Sequence, residues 1–381
     1  MEAASVSIRL NPFKGCAGPE GAPVPWSPCG RILESRPSFT LDPLFHAGCY
    51  YVQDSSAMYV GHIFRRLVLS QGREGYLRVL DLCAAPGGKT TDIAASCRER
   101  LGDDFLLVSN EVMKARASVL CDNVARWGDP CVAVTSVDPG GFACLEGGFD
   151  VIVADVPCSG EGMFRKDPRA REEWSPEAVK LCAARQRRIL ADVWPALKQG
   201  GLLIYSTCTY EDAENDSNLE WAASELGGEM VPVLDEYPGY GVEVTRRGNL
   251  LRAGIVPGEG QWVGALRKTS PQRSSRSLDL KLLHPLREPG VRKGENRGRD
   301  LIPDPDYALN IAYAGDYPSV ELDMQTALKY LHRDTLVLEG AAPGYNVVTY
   351  LGHPLGFVKN IGSRCNNLLP KGRRILMNVN V

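Results

Sequence analysis

The fold of this chain is most legible in one continuous stretch, Val79-Leu80-Asp81-Leu82-Cys83-Ala84-Ala85-Pro86-Gly87-Gly88-Lys89-Thr90-Thr91. It begins as an apolar run typical of a buried strand, passes through a loop of small residues and continues into a helix-favouring sequence. In parallel α/β sheets, ligands bind beyond the carboxyl ends of the strands, where small residues admit them to the backbone and a helix N-terminus offers N–H groups. The loop is neither G-x-G-x-x-G nor a P-loop, because Cys83 stands five residues before Gly88, where a P-loop requires glycine. The stretch therefore favours a cofactor with a carboxylate over one bound through phosphates.

The same alternation of strand and helix continues along the chain. Short apolar runs without strict alternation, typical of strands buried on both faces, occur at residues 78–82, 105–110, 131–136, 150–155 and 201–206. Helix-like segments separate these runs. The clearest has Ser175 as its N-cap, Pro176 as its first residue and Gly200-Gly201 as its stop. Repeated units of this kind predict an α/β fold with a doubly wound, Rossmann-like parallel sheet.

Length and composition restrict the class of protein. The chain has 381 residues, enough for two or three domains, and its 44% hydrophobic content excludes wholesale disorder. No apolar run approaches the roughly 18 residues of a membrane span, and the start lacks a signal-peptide pattern, so we expect a cytoplasmic protein without membrane contact. The 12 cysteines are then expected as free thiols. Without a C-x-x-C pair, and with five scattered histidines, no metal site is expected.

Changes in composition predict four segments. Residues 1–60 are rich in proline and glycine, and residues 61–268 carry the strand–helix alternation. Residues 269–300 hold eight basic and four acidic residues with much Ser, Pro and Gly, which predicts a mobile basic linker. Residues 301–381 are expected to form a small β-rich domain with a basic surface, since five Lys or Arg and no acidic residue follow Gly340. The net charge is −3, so any nucleic-acid binding must rest on such local patches.

Acidic residues follow two further strands of the predicted sheet. Glu111 comes at the end of the second strand, where a carboxylate can accept two hydrogen bonds from a ribose diol. Asp138 follows the third strand, in a position to reach the edge of a base. Each acid taken singly could be an ordinary helix cap. Together, at the ends of successive strands, they favour a cofactor that contains adenosine.

Two cysteines follow the fourth and fifth predicted strands. Cys158 lies in Asp155-Val156-Pro157-Cys158-Ser159-Gly160, and Cys208 lies in Tyr205-Ser206-Thr207-Cys208-Thr209-Tyr210, ahead of a helix expected to begin near Glu211. Both are expected at the sheet edge that carries the cofactor loop. A thiol close to a helix N-terminus is favoured as thiolate. The alternative for a single cysteine is a small buried hydrophobic residue.

Several motifs in this order resemble the Nol/Nop/Sun family of RNA cytosine-5 methyltransferases. They are Ser7-Ile8-Arg9-Leu10-Asn11-Pro12, the loop from Leu82 to Thr90, Asp155-Val156-Pro157-Cys158-Ser159-Gly160-Glu161-Gly162 followed by Phe164-Arg165-Lys166-Asp167-Pro168, and Tyr205-Ser206-Thr207-Cys208-Thr209. The match covers about residues 5–268. Residues 352–364 resemble the tail domain of small-subunit ribosomal RNA members, which is similar to PUA-type RNA-binding modules. Two features depart from the family pattern: only four residues precede Ser5, and the region between the catalytic and tail domains is short.

The resemblance implies a cofactor and a set of site residues. The cofactor is S-adenosylmethionine, with the expected ligands Cys83, Ala84, Ala85, Pro86, Gly87, Gly88, Lys89, Glu111, Asp138 and Asp155. Cys208 is expected to add to carbon-6 of cytosine, which makes carbon-5 nucleophilic enough to take a methyl group. Asp155 is suited to hold the N3 edge of the base, and Cys158 is expected, by analogy, to assist release of the methylated product.

RNA contacts are expected in two places. Arg165 and Lys166, in the loop after Cys158, are expected near phosphates, although an ordinary exposed basic turn is the alternative. Lys359 and Arg364 are expected on the RNA-binding face of the PUA-like tail, and residues 1–60 as a short RNA-contacting segment. The target base must leave its stack, at a cost of roughly a few kcal/mol.

Three other functions fit the sequence less well. DNA cytosine-5 methyltransferases use the cysteine after proline on the fourth strand and need no Thr-Cys-Thr on the fifth. A non-catalytic ribosome-assembly factor would need neither Cys208 nor the cofactor loop, and a dehydrogenase is disfavoured by the missing G-x-G-x-x-G. We therefore expect a monomeric RNA cytosine-5 methyltransferase acting on 16S-type small-subunit rRNA, possibly within the subunit. A transfer RNA target is the alternative.

Overall fold

The computed structural model describes residues 5–70, 75–165, 171–172, 174–233, 237–272, 278–298 and 300–379. The chain begins with a four-stranded antiparallel sheet in the order β2-β3-β1-β4. Its strands are β1 (Val6–Leu10), β2 (Ala22–Val24), β3 (Ser27–Leu33) and β4 (Tyr50–Val52), and the short helix α1 (Pro43–His46) precedes β4. Helix α2 (Met58–Phe64) follows and continues into a π-helical turn at Arg65–Leu69.

A buried arginine connects the N-terminal sheet to the predicted cofactor loop. Arg9 Nε donates to Gln53 Oε1 (2.9 Å), and Arg9 Nη2 donates to the backbone oxygen of Gly88 (3.3 Å). The guanidinium also stacks over Trp127, 4.6 Å from the ring centroid. Since Gly88 belongs to the predicted cofactor loop, the N-terminal sheet supports that loop from behind.

A large central sheet follows. Within the described residues it contains nine strands: β5 (Leu77–Asp81), β6 (Phe105–Asn110), β7 (Val132–Thr135), β8 (Phe149–Asp155), β9 (Leu197–Thr207), β10 (Gly228–Val231), β11 (Val242–Val244), β12 (Gly248–Leu251) and β13 (Gln261–Lys268). The first five are parallel in the order β7-β6-β5-β8-β9. β13 runs antiparallel to β9 and carries β12 and β10 on its other side. The predicted doubly wound parallel sheet is thereby confirmed.

The strand order identifies the edge at which a ligand can bind. From β5 the chain builds outward through β6 and β7 on one side, and β8 and β9 lie on the other. The carboxyl ends of β5 and β8 therefore form the topological switch point, where a crevice opens in sheets of this kind. The parallel strands are almost fully buried, as their unbroken apolar sequences predicted.

Helices cover both faces of this sheet: α3 (Gly88–Leu101), α4 (Lys114–Trp127), α5 (Pro176–Val193) and α6 (Asp216–Leu226). Ser175 caps α5 as predicted, because its Oγ accepts from Ala178 N (3.1 Å). The predicted stop at Gly200-Gly201 is wrong, since α5 ends at Val193 and both glycines lie inside β9. Pro195 accounts for the early end, because proline has no N–H group for the helical ladder.

The segment predicted as a mobile linker is attached to the central domain in its described part. Leu283 is buried in the hydrophobic cluster that forms between helix α5 and the face of the central sheet that this helix covers. Residues 286 and 287 pair with β7: Leu286 N donates to Val134 O (2.8 Å), and Val134 N donates to Arg287 O (2.9 Å). The apolar residues between the charges anchor this segment, which a count of charged and small residues overlooks.

The C-terminal part is a small, mostly β domain. A two-stranded ribbon, β14 (Gly294–Arg297) and β15 (Asp300–Pro303), leads into a four-stranded sheet ordered β16-β17-β18-β19. The elements are β16 (Ser319–Glu321), α7 (Met324–Leu331), β17 (Gly344–Tyr350), β18 (His353–Asn360) and β19 (Cys365–Asn367). Its apolar residues share one hydrophobic cluster with those of the N-terminal sheet, including Ile8 and Tyr50. The N-terminal sheet and the C-terminal domain are thus packed together.

Not all the cysteines are free thiols. Cys16 and Cys49 form a disulfide, which corrects the expectation of free thiols throughout. His353 lies beside it, with Nδ1 3.3 Å from Cys16 Sγ. While the disulfide is formed, its two sulfurs are not thiolates and this cluster offers no thiolate metal ligand. In the part of the chain that is described, no helix has the length and apolar character needed to cross a bilayer.

Candidate active site

The two cysteines singled out in the sequence lie next to each other. β8 and β9 are parallel neighbours in which Asp155 is opposite Ser206, so the residues that follow both strands emerge at one edge. Cys158 Sγ is 3.0 Å from Cys208 Sγ, and Cys208 N donates to Cys158 Sγ (3.3 Å). The hydrogen bond with Cys208 and burial raise the pKa of the Cys158 thiol well above its usual value. Cys158 is therefore a neutral thiol near neutral pH.

The expected helix dipole does not act on Cys208. The sequence predicted a helix beginning near Glu211, but α6 begins at Asp216 and a turn occupies the intervening residues. The stabilising effect of a helix N-terminus falls off within about one turn, so this predicted source of thiolate stabilisation is wrong. The Asn215 side chain accepts from Thr207 Oγ1 (2.6 Å) and donates to the backbone oxygen of Thr209 (3.0 Å), and α6 starts only after this residue.

Asp155 ends β8 between the cysteines and the cofactor loop. Lys89 Nζ donates to its Oδ2 (2.9 Å), while Ser206 Oγ (2.7 Å) and Gln261 Nε2 (3.3 Å) donate to its Oδ1. Burial alone would lower the pKa of Lys89, but the attraction of Asp155 leaves that pKa raised, so Lys89 is cationic. The Asp155 side chain is 28% exposed, which leaves it accessible to a ligand.

The predicted cofactor loop connects β5 to α3 over this pair. Gly87 has a φ of +114°, in the left-handed region that favours glycine, and it is the N-cap of α3. The first N–H groups of α3 have no helical partner and are available to an anionic group such as a carboxylate. Asn110 at the end of β6 holds the loop, because its backbone oxygen accepts from Ala84 N (2.8 Å). The remaining predicted loop residues, Cys83 to Lys89, lie along the same edge.

The two predicted acids after β6 and β7 have different surroundings. Glu111 is buried; its Oε1 accepts from Met113 N (2.9 Å), and its Oε2 lies 3.2 Å from Arg116 Nη1. Asp138 is exposed and caps a 3₁₀ turn by accepting from Gly140 N (3.1 Å). Asp138 therefore does act as a cap, which was the alternative interpretation. A contact between Asp138 and a cofactor stays a prediction.

Asp81 at the end of β5 is a candidate site residue that the sequence analysis missed. It is fully buried, Thr90 Oγ1 donates to its Oδ2 (2.6 Å), and its Oδ1 has no hydrogen-bond partner among the residues that the structure describes. Burial raises its pKa to about 7. An unpartnered buried acceptor beside free N–H groups fits a ligand with both an ammonium and a carboxylate. The only signal in the sequence was an acidic residue inside an otherwise apolar strand.

The loop after Cys158 folds back onto the Cys208 loop. Gly162 N donates to Cys208 O (2.8 Å), and Glu161 Oε2 accepts from Tyr210 N (2.8 Å). Arg165, predicted as a phosphate contact, instead forms an ion pair with Glu259 (3.0 Å), and the two side chains are 19% and 4% exposed. With its charge already neutralised, Arg165 supports the loop rather than offering a free cation. Lys166 lies outside the described residues.

The predicted RNA contacts of the C-terminal domain lie on its surface. Lys359 is half-buried on β18, with its Nζ 4.9 Å from the ring centroid of Tyr345. Arg364 is exposed in the turn between β18 and β19. These positions are compatible with contact to a phosphate backbone, and the contact itself stays a prediction.

A cavity of about 740 Å³ lies away from this edge, between residues 285–292 and the C-terminal domain. Its arginines are already engaged, since Arg287 and Arg373 both pair with Asp306. The chemistry-bearing residues are at the switch point, and this cavity adds none to them.

Family models match the chain in three places. The model described as 16S rRNA methyltransferase RsmB/F matches residues 68–227. The model of the N-terminal domain of 16S rRNA methyltransferase RsmF matches residues 1–55, and that of the methyltransferase RsmF PUA domain matches residues 317–375. The three matches follow one another in the same order as the described sheets.

Curated relatives carry the same description. Ribosomal RNA small subunit methyltransferase F from Klebsiella pneumoniae (strain 342) is 31% identical, in an alignment covering 96% of this chain and 88% of the relative. The protein of that name from Escherichia coli O157:H7 (strain EC4115 / EHEC) is 38% identical over 69% of this chain. That second alignment spans 57% of the relative's length.

Solved structures share the fold. A methyltransferase homolog protein from Pyrococcus horikoshii is 26% identical with a TM-score of 0.58, over 70% of this chain and 87% of that one. NSun6 from Pyrococcus horikoshii with SFG is 23% identical with a TM-score of 0.50, over 62% of this chain and 57% of that one. The second likeness supports the fold alone.

Proposed function

Because this chain belongs to the RsmB/F family of 16S rRNA methyltransferases, we propose that it transfers a methyl group from S-adenosylmethionine to carbon-5 of a cytosine in small-subunit rRNA, through a covalent bond to Cys208. The observation that carries the proposal is the pair of thiols 3.0 Å apart at the switch point, beside the Lys89–Asp155 pair and the cofactor loop. Methyl transfer to a nitrogen or oxygen atom, which is nucleophilic without activation by a thiol, would need neither cysteine.

The cofactor loop and two acids are suited to hold the methyl donor. The N-terminus of α3 would receive its carboxylate, Asp81 its ammonium, and Glu111 its ribose diol. Asp138 and Asp155 are the other predicted ligands. When bound, S-adenosylmethionine supplies an electrophilic methyl group.

The chain's own residues would prepare the base. Cys208 Sγ forms a bond to carbon-6 of the flipped-out cytosine, and the electron pair displaced from the ring makes carbon-5 the nucleophile that takes the methyl group. Asp155, held by Lys89 and Ser206, would keep the N3 edge in place. Transfer of the carbon-5 proton to a base, such as solvent water, then restores the double bond. The bond from Cys208 to carbon-6 breaks with its electron pair leaving on the sulfur, and Cys158 would assist this last step.

Two measurements test the proposal. Bisulfite mapping of rRNA and transfer RNA, in cells with and without the gene, should reveal one or more cytosines in small-subunit rRNA that lose their methylation. Purified Cys208→Ala protein should form no covalent complex with RNA, whereas Cys158→Ala should accumulate one that survives denaturation. Loss of methylation in transfer RNA instead would identify transfer RNA as the substrate. A covalent complex that forms with Cys208→Ala and not with Cys158→Ala would make Cys158 the nucleophile.

A further inference from the structure

The peptide groups on both sides of Cys158 are held by two buried side chains. Gln186 Nε2, from α5, donates to the backbone oxygen of Pro157 (3.0 Å). The backbone N–H of Ser159 donates to Glu214 Oε2 (3.1 Å). Gln186 Nε2 also donates to the same Glu214 oxygen (2.6 Å), which joins the two contacts into one clamp. The Gln186–Glu214 clamp therefore brackets Cys158 in the chain.

The orientation of the clamp is itself determined. Asn218 Nδ2 (2.7 Å) donates to Gln186 Oε1, so the amide nitrogen of Gln186 points toward Pro157 and Glu214. Tyr205 Oη donates its single hydrogen to the backbone oxygen of Glu214 (2.6 Å), a contact that does not depend on the Glu214 side chain. A change of that side chain would thus leave the backbone around it anchored.

Glu214 occupies an environment that is costly for a carboxylate. It is fully buried, and among the described residues no Lys, Arg or His nitrogen lies within 4.0 Å of it. In the described part of the chain its Oε1 has no hydrogen-bond partner, and burial raises the pKa of the Glu214 carboxyl group. A buried acid with these contacts is a poor device for stability alone, since an apolar residue would avoid the desolvation penalty.

Cys208 is held by other contacts. It follows β9 directly, and its backbone oxygen accepts from Gly162 N (2.8 Å). Thr209 Oγ1 donates to Glu161 Oε2 (3.0 Å), which ties the next residue to the same loop. Cys208 also continues directly from β9, whose pairing with β8 and β13 does not involve the Glu214 side chain. Loss of the Glu214 carboxylate would therefore act first on the residues around Cys158.

We propose that Glu214 is a positioning residue for Cys158, and that through the bond to Ser159 N it holds the Cys158 thiol where it assists release of the methylated product. The inference rests on the proposed function. It separates the two halves of the reaction: Glu214 matters for breaking the bond between Cys208 and carbon-6 and has little part in forming it.

The test compares substitutions that keep or remove the acceptor oxygen. In Glu214→Met the acceptor is lost, and we expect the covalent RNA complex to form but to resolve about 100-fold more slowly, as for a displaced catalytic group. Complex should then accumulate toward the level seen in Cys158→Ala. Glu214→Gln keeps an oxygen that can accept from Ser159 N and Gln186, so it should resolve the complex at close to the wild-type rate. The readout is denaturation-resistant enzyme–RNA complex against time, together with methyl groups transferred per folded enzyme.

Asp129→Asn is the matched control, because Asp129 is another buried carboxylate, paired with Arg98, and it precedes β7 at the end of the sheet opposite to Cys158 and Cys208. It should not raise the level of complex, even if it lowers stability. Misfolding cannot imitate the expected result, since an unfolded enzyme forms neither complex nor product. No accumulation in Glu214→Met would overturn the inference, as would accumulation in Glu214→Gln, which would mean that the charge itself acts. If the wild-type protein does not methylate RNA and the Cys158→Ala variant forms no covalent complex with RNA, the proposed function has failed instead.

Discussion

The buried Asp81 carboxylate should make cofactor binding depend on pH. Burial raises its pKa to about 7, the nearby Asp155 and Glu111 carboxylates add to the rise, and the Thr90 hydrogen bond and Lys89 oppose it. The free protein therefore holds Asp81 largely as a neutral acid below pH 7. A cationic ammonium beside Asp81 favours the ionised form, so binding should release a proton and strengthen as the pH rises through the pKa.

The size of the effect follows from the ionised fraction. With a pKa of about 7, Asp81 is roughly 9% ionised at about pH 6 and roughly 91% ionised at about pH 8. If only the ionised form receives the ammonium, affinity should rise about tenfold across this range, or about 1.4 kcal/mol, and level off above it.

Isothermal titration calorimetry with S-adenosylhomocysteine measures this directly, because that compound keeps the ammonium and carboxylate and lacks the reactive methyl group. Asp81→Asn should bind more weakly at about pH 8 and lose the tenfold dependence, whereas Asp129→Asn should keep it. A wild-type affinity that is flat between these pH values would refute the reasoning. So would a full pH dependence that survives in Asp81→Asn.

Three further predictions concern residues away from the reacting atoms. Arg165→Ala should lower the free energy of unfolding by about 3 kcal/mol, because it leaves Glu259 buried without its partner, and should leave the salt dependence of RNA binding unchanged. Arg364→Ala should leave stability unchanged and reduce the slope of log affinity for RNA against log salt concentration by about one, as loss of one phosphate contact does. Filter binding at several salt concentrations and urea unfolding measure the two quantities. A changed slope in Arg165→Ala together with a changed stability in Arg364→Ala would contradict both predictions. Reduction of the Cys16–Cys49 disulfide, whose cysteines are 33 residues apart, should cost about 3–4 kcal/mol of stability in the loop-entropy model. Alkylation of the protein before and after addition of a reductant, followed by mass spectrometry, tests whether the disulfide is present. Alkylation of both cysteines before the reductant is added would contradict it.

Sequence patterns were sufficient where the physics is local. The run from Val79 to Thr91 predicted a strand, a loop and a helix, and the structure has β5 and α3 there. Short apolar runs marked the five parallel strands, since a strand buried on both faces has no polar positions. The meeting of Cys158 and Cys208 was also predictable, because parallel neighbours end at the same edge.

The same reasoning went wrong where a local signal had a competitor. Gly200-Gly201 was interpreted as the stop of a helix, but Pro195 had already ended it and the glycines lie in β9. The charged segment after residue 269 was predicted to be mobile, but Leu283 anchors its described part in the core. Composition averages over a segment, whereas one buried leucine is enough to dock it.

What the sequence by itself determined is the order of strands and helices and the sheet edge that carries the chemistry, because both follow from periodicity over a few residues. Only the tertiary structure decided which charges are free: Arg165 is paired with Glu259, 94 residues away, and Glu214 reaches Ser159, 55 residues away. It also left Asp81 Oδ1 without a hydrogen-bond partner among the described residues. Such pairings depend on distances of a few ångströms between segments far apart in the chain, and no local spacing encodes them.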